Sequence, residues 1–350
     1  MQLTLEGELP YFFGGKCMKR VLGVLALMAV LLAVLACKKK EAEKAEDDYV
    51  FKIGFTMSLC NAPVHIAAEK GYYDEEGLKW ETINVGDGEA MNLLTNGSVD
   101  GLITLMIGLI HPLSNGLPVQ IPLAMHTGCI KTLVRGDSNI QTFADLKGKT
   151  IGGASPGASA LLFAKRYLAD KGFKVDGENA DVEYIYQSAG ELPLLLERGG
   201  VDAIALTDPS AQIAQDARGF RAIIDNGVDE NYKDEFCCVI PVRTETIKTY
   251  PLSTAKFLRA VQKAAKFVQE HPGEAAQILA DTKRAAGDPL VNGRILKTFN
   301  YRASVSQALP ALERNAKDMR NIGILKAEVD VDKLVKDVYV VVPGVPDSLF

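Results

Sequence analysis

The sequence predicts an α/β fold in which mainly parallel sheets are flanked by helices. Residues 51–71 run from a short alternating strand through a polar loop into a helix pattern. Residues 99–106 and 201–206 are apolar almost without break, as in parallel strands that are covered on both faces. A fresh set of strand and helix patterns begins at Thr150. This alternation of strands and helices is typical of doubly wound sheets.

Composition agrees with an ordinary globular protein. The 350 residues are 47% apolar and 24% charged, which supports one large or two ordinary domains. The net charge of −5 gives no reason to expect a nucleic-acid partner.

The first strand–loop–helix unit is the stretch around which the prediction is built. Residues 51–55 alternate like a strand, and residues 56–61 form a loop of small and polar residues. Pro63 lies just inside the following helix, with Asn61 as its N-cap, and Gly71 ends it. Free N–H groups and hydroxyls in a loop that leads into a helix N-terminus favour polar or anionic ligands. The alternative is an ordinary unit of an α/β core that binds nothing.

The remaining elements follow in order along the chain. We predict strands at residues 79–85, 99–106, 119–125, 130–135, 150–152, 182–185, 201–206, 221–225 and 237–243. We predict helices at residues 89–95, 107–113, 160–171 and 191–198. From Ser253 the spacing of apolar residues becomes helical, with further helices at 272–280, 290–299, 304–322 and 330–338.

The N-terminal residues predict export and lipidation. Residues 21–36 form an unbroken apolar run after Lys19 and Arg20, shorter than the ~20 residues of a membrane span and typical of a signal peptide. Residues 34–37 resemble a lipobox, which would make Cys37 the lipidated N-terminus; a plain secretory signal is the alternative. We therefore assign residues 1–17 to an upstream extension before a true start at Met18, 18–36 to a lipoprotein signal peptide and 37–49 to a charged tether.

Several short motifs resemble a known family. They are APVHIA at 62–67, EKGYY at 69–73, EGL at 76–78, LLTNGSVDG at 93–101, DLKGKTIG at 145–152 and GVDAIALTDP at 200–209. In order and spacing they are similar to periplasmic-type solute-binding proteins of the nitrate, aliphatic-sulfonate and taurine group. That group also holds binders of thiamine-precursor pyrimidines. The similarity extends from Val50 to the C-terminus.

The resemblance implies a two-lobed periplasmic binding protein type II fold with two hinge crossings. Residues 50–129 and 244–350 would form lobe 1, and residues 130–243 lobe 2. It implies a monomeric, lipid-anchored extracytoplasmic protein without a cofactor. By lobe closure this protein would capture a small polar or heteroaromatic molecule, either sulfonate-, nitrate- or taurine-like or pyrimidine-like. It would deliver that molecule to the permease and ATPase subunits of an ABC importer.

Ligands of open α/β sheets bind beyond the carboxyl ends of the strands, and the loops there supply the candidate ligand-binding residues. These are Ser58, Cys60, Asn61, Ile107, Gly108, His126, Thr127, Cys129, Ser155, Gly157, Ser159, Thr207 and Asp208. The loop at 155–159 is the most ligand-like, because its small residues expose backbone at a helix start; a plain helix cap is the alternative. Asp208 would fix a ligand amine or hydroxyl, or else cap a helix that begins at Pro209. These loops contain few cations, and apolar residues such as Met57 suit a heteroaromatic or organosulfur ligand.

The cysteines leave several interpretations open. Cys60 and Cys129 could form a disulfide, remain thiols or join His126 around a metal ion. Such scattered residues offer too few ligands, so no metal site is predicted. The adjacent Cys237 and Cys238 cannot easily bridge each other.

Two further functional classes remain. Some relatives of this fold are enzymes that make a pyrimidine with a cysteine-rich motif, and that motif is absent here. No Ser-His-Asp or paired-carboxylate spacing stands out, so no catalytic residue is predicted. The third class is the sensor lobe of a receptor, which would need a separate signalling partner.

Overall fold

The computed structural model describes residues 48–86 and 88–350, together with Leu25, Met28 and Glu46. Residues 1–49 and 50–350 are two separate compact units. Apart from Leu25 and Met28, the predicted signal peptide lies outside the described residues, as do the predicted lipidation at Cys37 and most of the charged tether. Within the described part of the chain, no helix has the length and apolar character needed to cross a membrane.

The unit at 50–350 contains two β-sheets with helices around them. The strands are β1 Val50–Phe55, β2 Lys79–Asn84, β3 Gly101–Leu102, β4 Thr104–Leu105, β5 Val119–Thr127, β6 Ile130–Val134, β7 Lys149–Gly153, β8 Val182–Tyr186, β9 Ala203–Thr207, β10 Arg221–Asp225, β11 Phe236–Arg243 and β12 Asn300–Ser304. The helices are α1 Ala62–Glu69, α2 Tyr72–Glu75, α3 Ala90–Asn96, α4 Met106–Ser114, α5 Ser159–Asp170, α6 Leu192–Glu197, α7 Ser210–Arg218, α8 Thr244–Thr249, α9 Pro251–Glu270, α10 Pro272–Asp281, α11 Pro289–Thr298, α12 Ala308–Asn321 and α13 Val331–Val338.

Both sheets are mixed rather than mainly parallel. The first has the order β12-β5-β11-β3-β1-β2 with β4 paired to β11, and the second has the order β10-β6-β9-β7-β8. β1 is parallel to β2 and β3, and β7 is parallel to β8 and β9. The strands next to the two crossings between sheets pair antiparallel. The predicted α/β class and its two sheets are confirmed.

Three sequence predictions about strands differ from the structure. The prediction that places residues 237–243 in the second lobe is wrong about the sheet, because β11 pairs with β3, β4 and β5 of the first sheet. The single strand predicted at 99–106 is divided into β3 and β4. The sequence pattern did not predict β12, which is the edge strand of the first sheet and pairs with β5. An apolar pattern shows that a strand is buried, but it does not show which edge will accept it.

The C-terminal helices pack on the first sheet. α9 contacts β1 and β12, and α12 contacts β5 and β11. Within this layer Phe257 of α9 stacks on Phe51 of β1, with their ring centroids 4.7 Å apart. The first sheet is therefore built from both ends of the 50–350 unit.

Each sheet contains the same pair of hydrogen bonds between two neighbouring strands, and this pair is called the clamp below. The Lys52 N–H donates to the carboxylate of Asp100 over 2.8 Å, and the Asp100 N–H donates back to the Lys52 carbonyl over 2.8 Å. In the second sheet Thr150 and Asp202 make the same two hydrogen bonds, each 3.0 Å long. Each aspartate thus locks the strand pair β1–β3 or β7–β9 at its amino end.

Gly54 and Gly152 each lie two residues after the first residue of a clamp. Because they have no side chain, Val99 and Leu192 can pack closely against them. A Cβ added at Gly54 would lie 2.7 Å from Val99 Cγ1, and one added at Gly152 would lie 2.9 Å from Leu192 Cδ2. The sequences Lys-Ile-Gly at 52–54 and Thr-Ile-Gly at 150–152 therefore occupy equivalent places in the two sheets.

His65 on α1 is a buried histidine that packs in the core. Its side chain is 3% exposed, and its ring meets the Phe55 ring edge-on at a centroid distance of 4.8 Å. Among the described residues its Nε2 atom has no hydrogen-bond partner. Burial and the positive charge of Arg284 lower the pKa of His65 to about 4, although the Thr56 carbonyl favours the protonated ring. The neutral imidazole is therefore the native form.

We expect His65 to make the stability of the fold depend on pH. Its folded pKa of about 4 lies below the value of 6.5 for an ordinary histidine, so the unfolded chain binds more protons between these two values. Its contribution is complete above pH 6.5 and is lost as the pH falls towards 4. Between about pH 7.5 and pH 4.5, urea unfolding should show that the wild type loses about 2–3 kcal/mol more than His65→Gln. Equal losses in the two proteins would contradict this assignment.

Candidate ligand cleft and thiol cluster

A cleft of about 460 Å³ opens at the carboxyl ends of β1, β2 and β9. It is lined by residues 56–58, 60–61, 84–86 and 103–105, with Thr207 and Cys238. Thr207 ends a strand of the second sheet, whereas the other lining residues belong to strands of the first sheet or to the loops that follow them. The cleft is therefore completed by residues of both sheets.

The cleft lining combines neutral polar groups with apolar side chains. Hydroxyl and amide groups come from Thr56, Ser58, Asn61, Asn84, Thr104 and Thr207. Among the described residues of the lining there is no lysine or arginine. Such a surface can orient a ligand by hydrogen bonds while it covers an apolar or aromatic body.

The loop after β1 shapes one wall of the cleft. Ser58 Oγ accepts a hydrogen bond from the Cys60 N–H over 3.3 Å and begins a short 3-10 turn at Leu59–Asn61. Asn61 stands at the N-cap position of α1, as predicted, but its side chain does not cap the helix. Instead its Nδ2 donates to Thr56 Oγ1 over 2.9 Å. Its buried Oδ1 has no partner among the described residues, so this acceptor is available to a ligand.

The predicted ligand-binding residues are only partly brought together. Ser58, Cys60, Asn61 and Thr207 line the cleft. His126, Thr127 and Cys129 are buried at the end of β5 and directly after it. Ile107 is buried and lines a separate small cavity with Arg166 and Cys237.

The loop at 155–159 lies outside the cleft lining. Ser155 and Gly157 are exposed, and Ala158 occupies the N-cap of α5 without any side-chain hydrogen bond. A Cβ added at Gly108 would lie 2.5 Å from Ser159 Oγ, so these two candidates pack against each other. The loop thus forms the start of α5, in line with the alternative of a plain helix cap, and its predicted contact with a ligand stays a prediction.

Asp208 is held by protein groups. Its side chain is 2% exposed and pairs with Lys131, whose Nζ lies 3.0 Å from Oδ2. Its Oδ1 accepts the Gln212 N–H over 3.1 Å, in the first turn of α7, which is close to the predicted helix-cap alternative. Burial raises the pKa of Asp208, and the Lys131 charge opposes that rise.

A cluster of thiols and one imidazole lies beside the cleft. The Sγ atoms of Cys129, Cys237 and Cys238 and one ring nitrogen of His126 all lie within 4.8 Å of one another. The two sulfurs of Cys129 and Cys237 are 3.2 Å apart, and Cys237 Sγ is 3.8 Å from His126 Nδ1. The Cys60 thiol interacts with Cys129 and Cys238. These five residues are called the thiol cluster below.

Strand pairing explains how adjacent cysteines reach the same cluster. β11 places Cys238 opposite His126 of β5, and the register shifts on both sides of Cys238. Successive side chains of a regular strand point to opposite faces, but a bulge interrupts that alternation. Both Cys237 and Cys238 therefore contribute their sulfur atoms.

The thiol cluster is strongly polarised. Burial lowers the pKa of His126, but the negative charge of Cys237 and Cys60 outweighs it and raises the pKa to about 10. Hydrogen bonds from Cys129 and Cys238 lower the pKa of Cys60. Burial raises the pKa of Cys237, but hydrogen bonds from Cys129 and Cys238 oppose that rise. The net result is a pKa below that of an ordinary thiol. Within the cluster the pKa values of Cys60 and Cys237 are thus lowered, and the pKa of His126 is raised.

Sequence reasoning missed the participation of Cys237 and Cys238 in this site. No metal site was predicted because the ligands were scattered, yet the fold collects three cysteines and a histidine within one small volume. Contacts between positions as far apart as 60 and 238 depend on the order of strands in the first sheet. The adjacent cysteines Cys237 and Cys238 were the one signal in the sequence. Their role becomes clear only when β11 is known to pair with β5.

Comparison with known proteins finds relatives that are similar to this chain over most of its length. A 4-amino-5-hydroxymethyl-2-methylpyrimidine phosphate synthase of Aspergillus parasiticus is 25% identical over 300 residues, which cover 82% of this chain and 84% of the relative. A relative from Bacillus subtilis, provisionally named an aliphatic sulfonates-binding protein, is 26% identical over 277 residues, or 75% of this chain and 78% of the relative.

A solved structure has the same fold. It is the alkanesulfonate-binding protein SsuA from Xanthomonas axonopodis pv. citri bound to MOPS, with a TM-score of 0.67 and 18% identity. The similarity covers 81% of this chain and 97% of that protein. The two mixed sheets with flanking helices thus have the same fold as that structure.

The family match covers residues 60–275, which is more than half of the chain and includes the cleft and all five residues of the thiol cluster. The chain therefore belongs to the NMT1/THI5-like family.

Proposed function

We propose that this protein is the extracytoplasmic solute-binding component of an ABC importer. The observation that carries the proposal is the cleft, because residues from both sheets line it. A site divided between two sheet-bearing halves can open and close around a solute by hinge motion. The binding function stated for the alkanesulfonate-binding protein of the same fold supports this assignment.

The ligand is a small neutral or weakly charged molecule with a heteroaromatic or organosulfur body. The cleft volume of about 460 Å³ falls in the usual range for small-molecule sites, ~300–1,000 Å³. Its described lining has amides, hydroxyls and apolar side chains but no cation. This favours a pyrimidine-like ligand over a strongly anionic one. A sulfonate, taurine or nitrate would have to be held by N–H and hydroxyl groups.

The cellular setting completes the proposal. A lipid on Cys37 would keep the monomer at the outer face of the membrane or in the periplasm, next to the permease and its ATPase. Globomycin treatment of cells that produce the chain should cause an uncleaved, lipidated precursor to accumulate if Cys37 is the lipidated residue, whereas Cys37→Ser should give an uncleaved precursor without lipid.

An enzyme that makes a pyrimidine is the second candidate. The observation in its favour is the polarised thiol cluster, because Cys60 and Cys238 also line the cleft. A relative from Aspergillus parasiticus is named as a pyrimidine phosphate synthase. Mass spectrometry separates the two functions: a carrier releases its ligand unchanged, whereas an enzyme releases a product or shows a mass change in its own chain.

Ligand identification begins with the full chain as purified. Native mass spectrometry shows any co-purified molecule, and a thermal-shift screen covers sulfonates, taurine, nitrate and pyrimidines. A ligand at 100 times its dissociation constant should stabilise the folded state by about 2.7 kcal/mol. If no compound in any of these classes bound, the proposed ligand class would be wrong.

Bulky side chains placed in the cleft should abolish binding of the compound found in that screen. We expect Thr207→Trp and Thr104→Trp, which enter from the second and first sheet, each to weaken binding about 100-fold or more, a loss of ~3 kcal/mol. Isothermal titration calorimetry measures the affinity, and the melting temperature without ligand confirms folding.

Ser155→Trp is the matched control. Ser155 is exposed and lies outside the cleft lining, so the affinity should stay within about twofold of the wild type. A large loss at Ser155 with none at Thr207 would move the binding site to the loop at 155–159 and contradict the cleft assignment.

A further inference from the structure

We propose that His126, Cys129, Cys237 and Cys238 bind one thiophilic metal ion, Zn²⁺ or Cu⁺, next to the ligand cleft. The geometry of these four side chains carries the proposal. It does not depend on the organic ligand, because the ion can be tested in the absence of any solute.

The donor set fits a soft, tetrahedral ion. Three thiolates and one imidazole form one of the common ligand sets of zinc, and thiolates also select Cu⁺. In a tetrahedral site with Zn–S bonds of ~2.3 Å, two sulfurs lie roughly 3.8 Å apart. Here all four donor atoms lie within 4.8 Å of one another, and the two measured separations are 3.2 Å and 3.8 Å. Small side-chain rotations would bring the four donors around one ion.

His126 is fully buried, and its Nδ1 lies 3.8 Å from Cys237 Sγ and 3.2 Å from the Thr127 carbonyl oxygen. Its Nε2 has no hydrogen-bond partner among the described residues. Its ring is fixed in place by stacking on Phe299, with a centroid distance of 4.9 Å and parallel planes.

The backbone holds two donors in fixed positions. The N–H groups of Cys129 and Ile130 both donate to Asn226 Oδ1 over 2.8 Å. The bulge of β11 presents Cys237 and Cys238 together. Outer contacts of this kind orient metal ligands and contribute to affinity.

Cys60 connects this site to the cleft. It interacts with Cys129 and Cys238, and both Cys60 and Cys238 line the cleft wall. An ion bound by the four ligands would therefore lie directly behind that wall, with Cys60 as the thiol between the ion and a bound solute.

Metal titration of the reduced full chain tests the proposal. The chain is purified without oxygen, stripped with a chelator and titrated separately with Zn²⁺, with Co²⁺ as a coloured substitute for Zn²⁺, and with Cu⁺ held by a competing chelator. We expect one ion per chain and, for Co²⁺, absorption bands of a tetrahedral thiolate complex. The arm with the tighter affinity identifies the ion. Binding of no ion, or a Co²⁺ spectrum without thiolate bands, would overturn the proposal.

Single substitutions locate the ligands. Cys129→Ser, Cys237→Ser, Cys238→Ser and His126→Ala should each weaken binding more than about 100-fold, since even outer contacts are worth ~10–100-fold. His271→Ala is the matched control, because His271 also packs on an aromatic ring, Phe267, at 4.9 Å but is exposed. It should bind as the wild type does. Cys17 and Cys37 remain in every variant, so an ion held by them would be unaffected and would overturn the assignment.

Folding and oxidation have their own readouts. Circular dichroism and the melting temperature of the metal-free variants show whether each variant is folded, and only folded variants are compared. Thiol counting after exposure to air reports a disulfide between Cys129 and Cys237. A chain that forms this disulfide and binds no ion when reduced would contradict the metal site.

Discussion

Replacing Arg166 with methionine should lower the free energy of unfolding by about 3 kcal/mol. Arg166 is 2% exposed on α5, and its guanidinium makes two hydrogen bonds to the Glu235 carboxylate over 2.6 and 2.7 Å. Its Nε donates to Asp318 of α12 over 2.6 Å. Without the Arg166 cation, the two largely buried carboxylates keep only Arg314, whose Nε lies 3.1 Å from Glu235 and 3.9 Å from Asp318, and the Asn315 amide that donates to Glu235. Urea unfolding near pH 7 measures the change.

Two companion variants make this expectation specific. Arg218→Gln removes an ion pair with Glu197 whose side chains are 32% and 48% exposed, and it should cost less than about 1 kcal/mol. Adding Glu235→Gln and Asp318→Asn to Arg166→Met should restore part of the loss, because the two carboxylates would otherwise share Arg314 as their remaining cation. If Arg166→Met were no more harmful than Arg218→Gln, this network would not stabilise the fold.

The Arg166 network also connects the two sheets. α5 packs on strands of the second sheet, whereas α12 packs on β5 and β11 of the first. If the two halves move as a hinge during solute capture, opening must either spare or break these bonds. If opening breaks them, Arg166→Met should change ligand affinity as well as stability, which the calorimetric titration of that variant would show.

Removing the carboxylate of Asp100 should destabilise the fold by about 3 kcal/mol. Asp100 is fully buried and accepts hydrogen bonds from the Lys52 N–H and from Thr246 Oγ1, over 2.8 and 2.7 Å. Arg243 lies 3.8 Å from the same carboxylate. Asp100→Ala would remove the acceptor of the Lys52 N–H and of the Thr246 hydroxyl, whereas Arg243 would keep Glu245, and buried donors are costly to leave unpaired. Urea unfolding again provides the measurement.

The equivalent residue of the second sheet is a natural control. Asp202 accepts the Thr150 N–H in the same clamp, but its side chain is 39% exposed. Water can replace a lost acceptor there, so Asp202→Ala should cost about 1 kcal/mol or less. A cost at Asp202 equal to that at Asp100 would mean that burial does not set the strength of the clamp.

Local patterns predicted most of the elements correctly. The strand at 50–55, the helix after Pro63, the second set of strand–helix units from Thr150 and the helical C-terminal part all appear in the structure. These features depend on alternation, on helical spacing and on turn residues, which act over a few positions along the chain. The prediction of a cleft at the carboxyl ends of strands also located Ser58, Cys60, Asn61 and Thr207 in the lining.

Long-range pairing decided what the sequence patterns did not. Ser155 and Gly157 had the composition of a ligand loop, but their exposed position lies away from the cleft lining. β12 was missed because it forms only where β5 offers a free edge. Asp208 was predicted to contact a ligand, but in the structure its carboxylate forms an ion pair with Lys131.

The sequence alone determined the α/β class, the order of its elements and the loops from which a binding site could be made, because short-range periodicity carries that information. The tertiary structure decided that both sheets are mixed, that β11 belongs to the first sheet, and that Cys129, Cys237, Cys238 and His126 meet. These features arise from contacts between segments that are far apart along the chain, and such contacts depend on strand order and on a bulge in β11 rather than on any local pattern.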